Sequence, residues 1–166
     1  MRSLLNSDKL RITSDTAFEQ VLDCCAAGLM RKEQETWIDE RIISCYTTLF
    51  HRGHAHSFEV WQGGKLVAGL YGVNIGNTFI GESMFTHINN ASKYCLIKAA
   101  HFMYAQGIFV INCQYFNEHL AHMGAIPVAR EAYLNYMRYH GFLRDHLIGS
   151  WSALVDKHFS SDIYFK

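Results

Sequence analysis

Histidine, cysteine, carboxylate and amide side chains could each do chemistry in this chain, and their spacing limits what each could do. Of ten histidines, only His54 and His56 stand close together, two residues apart, a separation that on a strand would suit metal binding. A zinc site needs three or four convergent ligands. No such cluster surrounds this pair, and the plain reading is ordinary polar or core histidines. The five cysteines Cys24, Cys25, Cys45, Cys95 and Cys113 are odd in number, form no CxxC pair and sit within apolar stretches, so they read as reduced, packed thiols. Cys113 lies between Asn112 and Gln114 with no histidine or other base beside it, which argues against a nucleophile. Asn112 can accept and donate hydrogen bonds, but it can neither take a proton nor carry negative charge at neutral pH. Glu82, taken alone, is a strand carboxylate that backbone amides could satisfy. Trp37, just ahead of an amphipathic segment, could simply staple a helix.

The elements that must position these groups follow from periodicity and turn residues. Ser14 or Asp15 could cap a short helix in which Phe18, Val21, Leu22 and Cys25 recur on one face until Gly28. A second helix is expected from Trp37 to Phe50. The pattern then shortens to strands at 57–62 and 66–75, joined by Gly63-Gly64, a pair suited to the positive φ of a tight hairpin. A third strand, 78–85, follows the turn at Gly76-Asn77. Asn89 or Asn90 could cap a helix running to Gln106, with Gly107 as its stop. Residues 108–114 read as a buried strand, and 117–123 and 130–139 as helical. The fold class is α+β (α/β), a mixed sheet flanked by helices as in acetyltransferase-like folds.

The 166 residues, 49% of them hydrophobic, suffice for one domain, expected over 1–166. Pro127 is the one proline, and no linker, repeat or low-complexity stretch divides the chain. No run of about 18 apolar residues is present, and residues 1–20 do not resemble a signal peptide, so a cytoplasmic protein without membrane contact is expected. Fifteen Lys plus Arg balance fifteen Asp plus Glu. No global charge draws the chain to a polyanion, and any nucleic-acid contact must be local.

Five segments occur in a fixed order: His54-Ala-His-Ser-Phe-Glu-Val-Trp61, Leu70-Tyr-Gly-Val73, Gly81-Glu-Ser-Met-Phe85, Asn90-Ala-Ser-Lys93 and Asn112-Cys-Gln114. Together they resemble successive signatures of the leucyl/phenylalanyl-tRNA protein transferases. The similarity spans Trp37 to Leu134 and fades after Tyr139, leaving 142–166 divergent.

The resemblance implies an acetyltransferase-like (GNAT-type) domain that moves leucine or phenylalanine from an aminoacyl-tRNA ester to the amine of a protein beginning with arginine or lysine, using neither metal nor coenzyme. It implies catalytic positions at Glu82, Asn112 and Gln114: Glu82 holding the acceptor ammonium or a donor on the aminoacyl end, Gln114 orienting the amine through its carbonyl oxygen. The family usually has aspartate where this chain has Asn112. By position, an apolar pocket for the transferred side chain would involve Leu70, Phe79, Met84, Ala99, Met103 and Ile111, although the same six also read as ordinary core. Trp37 would help hold the aminoacyl-adenosine end, and Ser92 and Lys93 belong to the retained helix start.

The family also carries a smaller N-terminal domain and a basic cluster that meets the acceptor stem. The chain is expected to begin at that junction, so that a partner protein or a second copy would complete the site. Its basic residues there, Arg2, Lys9, Arg11, Arg31 and Lys32, are diluted by Asp8, Asp15, Glu19, Asp23 and Glu33, which predicts weak tRNA binding. Trp151, Phe159, Tyr164 and Phe165 could close the core or cover the site. Three readings follow: an aminoacyl-tRNA-dependent transferase acting on a peptide or small-molecule amine, a non-catalytic binding or regulatory homologue, and an acyl-CoA acetyltransferase. The last lacks its glycine-containing pyrophosphate loop.

Overall fold

The computed structural model describes residues 9–27, 37–141 and 148–160. Arg2, Asp8, Gly28, Arg31, Lys32, Glu33, Tyr164 and Phe165 lie outside these. Five strands, β1 (Arg11–Ser14), β2 (Ala55–Gln62), β3 (Lys65–Ile75), β4 (Thr78–Thr86) and β5 (Val110–Asn112), form one sheet in the order β1-β2-β3-β4-β5. The first four pair antiparallel, and β5 joins β4 parallel through the crossover helix α3 (Ala91–Ala105). The mixed sheet flanked by helices is the expected class.

The sheet is covered on both faces, which is why β2 is buried along six consecutive residues instead of alternating. On one face α1 (Phe18–Ala26) and α2 (Glu40–His51) enclose Phe18, Val21, Leu22, Ala55, Tyr71 and Phe85. On the other, α3 packs Tyr94, Cys95, Ala99, Phe102 and Met103 against Phe58, Val60, Leu70 and Phe79. Trp151 and Val155 complete that second core. They belong to the segment 148–160, which ends in α6 (Ser152–Ser160). Short helices α4 (Glu118–Ala121) and α5 (Arg130–Tyr136) follow β5, and a π turn at Met137–Gly141 extends α5. Among the described residues no helix is long and apolar enough to cross a membrane. Gly63 and Gly64 adopt φ of 56° and 77°, the hairpin dihedrals that their lack of a Cβ permits.

Several local expectations are corrected. Neither Ser14 nor Asp15 caps α1, whose N-cap position is Ala17, without a side-chain bond. Ser14 ends β1 and donates to the Ser57 carbonyl, while the Asp15 carboxylate accepts from the Ser57 N–H (2.9 Å), His56 Nδ1 (2.9 Å) and the Trp151 N–H (2.7 Å). Distant partners claim both side chains. Trp37 precedes α2, because Asp39 accepts from the Arg41 and Ile42 amides and starts the helix at Glu40. Asn90 occupies the N-cap position of α3 at φ 66° and makes no side-chain cap bond. The expected strand 108–114 is three residues long, since the Ile108 N–H still bonds Met103 at the end of α3 and Gln114 turns out at φ 61°. The helix expected at 117–123 is confined to Glu118–Ala121. Cys45 is exposed on α2 instead of packed.

Candidate active site

Glu82 owes its position to an irregularity in β4. Tyr71 pairs with Ser83 and Gly72 with Gly81, so Glu82 has no partner across β3 and is the extra residue of a bulge. A bulge re-aims the inserted side chain. Gly72 makes this one sterically feasible: a Cβ there would come within 2.1 Å of the Ile80 carbonyl oxygen and 2.7 Å of the Phe79 ring.

On the α1/α2 face, Tyr46 donates a hydrogen bond to Glu82, and burial, followed by the Glu82 charge, holds its phenol well above the usual range. Tyr71, stacked edge-on against Tyr46 at 5.2 Å, is also raised, chiefly by burial. Its hydroxyl is buried without a hydrogen-bond partner among the described residues.

From the other side comes the turn after β5. That strand pairs only with Thr78–Ile80 of β4 and departs at Asn112, so the last strand pair parts where Gly81 and Glu82 begin. Asn112 Oδ1 accepts from the Gln114 N–H at 2.8 Å, and its Nδ2 donates to the Tyr133 hydroxyl at 3.0 Å. Gln114, held at φ 61°, sends Nε2 to Glu82 Oε2 at 2.8 Å and to the Gly81 carbonyl at 3.2 Å. Both Nε2 contacts lie on one side, which leaves Oε1 without a partner among the described residues. Glu82 and Asn112 are half-buried and Gln114 is exposed, so the pair meets solvent. Burial raises the Cys113 thiol, whose Sγ lies 3.8 Å from the Ile111 carbonyl oxygen.

The catalytic trio read from sequence is therefore brought together, and the substrate set only in part. Leu70, Phe79, Ala99 and Met103 are buried in one core, with Met84 and Ile111 packed half-buried at its margin. Trp37 is 51% exposed ahead of α2. Ser92 and Lys93 lie half-buried on the first turn of α3, and among the described residues no hydrogen bond or ion pair joins them to Glu82 or Gln114. Lys9 and Arg11 share a surface recess with Trp61, Gly63 and Gly64 at the β1 edge. At about 4.8 Å per strand, that edge stands roughly 14 Å from β4.

Sequence reasoning missed Tyr46 and Tyr133. The i+9 placement of Tyr46 after Trp37 carries no local signal, and Tyr133 reaches Asn112 across 21 residues. Among the described residues no group of three or more His, Cys, Asp or Glu could hold a metal ion. His56 is instead a buried partner of Asp15, stacked on Trp151 at 3.6 Å.

Comparison with known proteins bears on this arrangement. A sequence model of the family described as leucyl/phenylalanyl-tRNA protein transferase matches residues 1–138. A relative of that name from Ralstonia pickettii is 43% identical over 138 residues, 83% of this chain and 56% of its own. Another from Zymomonas mobilis is 37% identical over 156 residues, 93% of this chain and 58% of its own. The chain thus spans little more than half the length of these relatives. Among solved structures, an aminoglycoside acetyltransferase from an uncultured soil sample aligns with a TM-score of 0.53 at 14% identity, covering 74% of this chain and 94% of that one. A ribosomal-protein-alanine N-acetyltransferase from Brucella melitensis aligns at 0.50 and 11% identity, covering 72% and 92%. These structures share the acetyltransferase fold.

Proposed function

This chain belongs to the leucyl/phenylalanyl-tRNA protein transferase family, and from that membership we propose that its Glu82–Gln114 pair carries aminoacyl transfer from tRNA to an amine. In the reaction the amine nitrogen attacks the ester carbonyl, the new C–N bond forms, the nitrogen loses a proton, and the ribose oxygen leaves carrying one. An α-amine of pKa near 8 is already about a tenth neutral at pH 7, so a modest acceptor suffices. Positioning supplies much of the remainder.

The observation that carries this reading is the 2.8 Å bond from Gln114 Nε2 to Glu82. It fixes the amide with Oε1 directed away from the carboxylate, ready to accept an N–H of the incoming amine. Glu82 supplies negative charge for a cationic acceptor, a protein N-terminus or a small peptide or molecule. Tyr46 steadies that carboxylate. Met84 and Ile111, at the half-buried margin of the core, would meet an apolar aminoacyl side chain, with Leu70, Phe79, Ala99 and Met103 in the core they pack against. Trp37 offers an exposed indole for the terminal adenosine, where stacking is worth about 1 to 3 kcal/mol. Ser92 and Lys93 would serve the tRNA end from α3.

A second reading, a non-catalytic binding homologue, draws on Asn112, which is neutral and has both amide ends engaged. Incubation with labelled leucyl- and phenylalanyl-tRNA and a panel of amines separates the two. Transfer supports the enzyme. Retention of aminoacyl-tRNA without transfer supports the binding homologue.

A further inference from the structure

Helix α6 is fastened at two places. At its start Trp151 and Val155 are buried in the core, and the Trp151 N–H bonds Asp15. Near its end His158 reaches α3, with Nε2 3.0 Å from His101 Nδ1 and the two rings 5.1 Å apart. A neutral imidazole has one N–H and one bare nitrogen, and a bond between two rings needs one of the facing nitrogens bare. Two neutral rings meet that condition, and so do one neutral and one charged ring. Two protonated rings do not: both nitrogens then carry hydrogen, and like charges face each other at hydrogen-bond distance.

The groups around the pair also oppose a second charge. Phe102 meets the His158 ring edge-on at 5.7 Å and Phe159 at 4.7 Å. On α3, Lys98 is 7% exposed, with Nζ 5.1 Å over the Phe159 ring and 5.7 Å over that of Tyr94, whose phenol burial keeps neutral. Burial, followed by the charges of His101 and Lys98, pushes the His158 pKa below its ordinary value. α6 itself carries Asp156 and Lys157, both exposed, and β1, which also touches α6, carries Arg11, exposed at the sheet edge. A histidine whose folded pKa is depressed contributes its stability in full above the unfolded value near 6.5 and loses it as pH falls through the folded value.

We propose that the His101–His158 pair is an acid-released clasp on the far half of α6: its bond tethers residues 156–159 to α3 at neutral pH, and a second proton on the pair frees them while Trp151 keeps the near half seated.

Backbone amide hydrogen exchange tests this, followed by NMR on the full chain near pH 7.5 and near pH 5.5, on either side of the histidine range, and corrected for the intrinsic rate at each pH. The proteins are the wild type, His158→Gln and His101→Asn. Glutamine sets an amide nitrogen or oxygen about where Nε2 lies, and asparagine does the same for Nδ1, so each variant keeps a bonding partner and removes one of the two protonations. Thermal melts check each fold. In the wild type, acidification should lower the protection of 156–159 about tenfold relative to α3, the scale of a lost hydrogen bond together with a like-charge contact, and in either variant by less than about twofold. The ring nitrogen shifts of the wild type give a second reading that needs no variant: protection should fall with the second protonation of the pair and not with the first. Unchanged protection in the wild type overturns the clasp. So does a loss as large in the variants, a loss that tracks another histidine, or one shared equally by α3 and α6, which would be general acid unfolding.

Discussion

Gln114 Nε2 lies 2.8 Å from Glu82 Oε2, a contact between the bulge of β4 and the turn that follows β5, 32 residues later. Because one hydrogen bond orders both groups, their removal should not add. Glu82→Ala and Gln114→Ala are each expected to reduce transfer by at least about tenfold, the low end for one positioned group, and the double variant should lose little more than the worse single. Steady-state rates of the three variants check this. Multiplicative losses would show that the residues act separately.

Gly72 and Gly81 face each other across the bulge, yet they differ in what they tolerate. A Cβ at Gly72 meets the Ile80 carbonyl oxygen at 2.1 Å, whereas at Gly81 its nearest neighbours are 3.7 and 3.8 Å away. Gly72→Ala should therefore displace Glu82, cutting transfer and lowering the thermal midpoint by several degrees, for a cost on the order of 1 to 3 kcal/mol. Gly81→Ala should keep both close to wild type. Melting curves and rates for the two variants decide it, and equal effects would contradict the steric account.

The pattern of these residues explains what the sequence alone could and could not reveal. The meander at β2–β4, helix α3 and the Gly63-Gly64 hairpin rest on local periodicity and turn chemistry, and they appear where expected. Strand β1, four residues long, is too short to show a period, and its neighbour Asp15 looks like a helix cap because the partners that claim it lie 41, 42 and 136 residues away. Resemblance points to Glu82, Asn112 and Gln114, but the bulge is a matter of register between strands. No feature of Tyr46 or Tyr133 announces the hydroxyl contacts they make.

Trp151 and Asp15 join the end of the described chain to its beginning. Asp15→Ala would remove the carboxylate that buried His56 Nδ1 and the Ser57 and Trp151 amides bond, at a cost of about 3 to 5 kcal/mol. Asp15→Asn keeps one acceptor oxygen and should cost less. Urea unfolding of both variants measures this. A small and equal loss would mean that the contact contributes little.

Glu59 is fully buried beneath Thr13, Thr16 and Ser57, whose hydroxyls donate to it. Burial raises its pKa, and those hydrogen bonds only partly oppose the shift. The folded state therefore holds this proton more tightly than the unfolded chain does. Its contribution to stability is fully present below the unfolded value near 4.5 and is lost as pH rises through the folded value. Glu59→Gln should flatten the decline in urea midpoint as pH rises above 4.5. Parallel pH profiles for the two proteins would contradict this.

The most direct test of the account is transfer of labelled leucine or phenylalanine from tRNA to a panel of amines that includes peptides beginning with arginine or lysine, run with wild type and Glu82→Ala side by side. The account predicts label on at least one amine with the wild type and a loss of at least about tenfold with the variant. Equal transfer by both proteins, or none by a wild type shown to be folded, would contradict it.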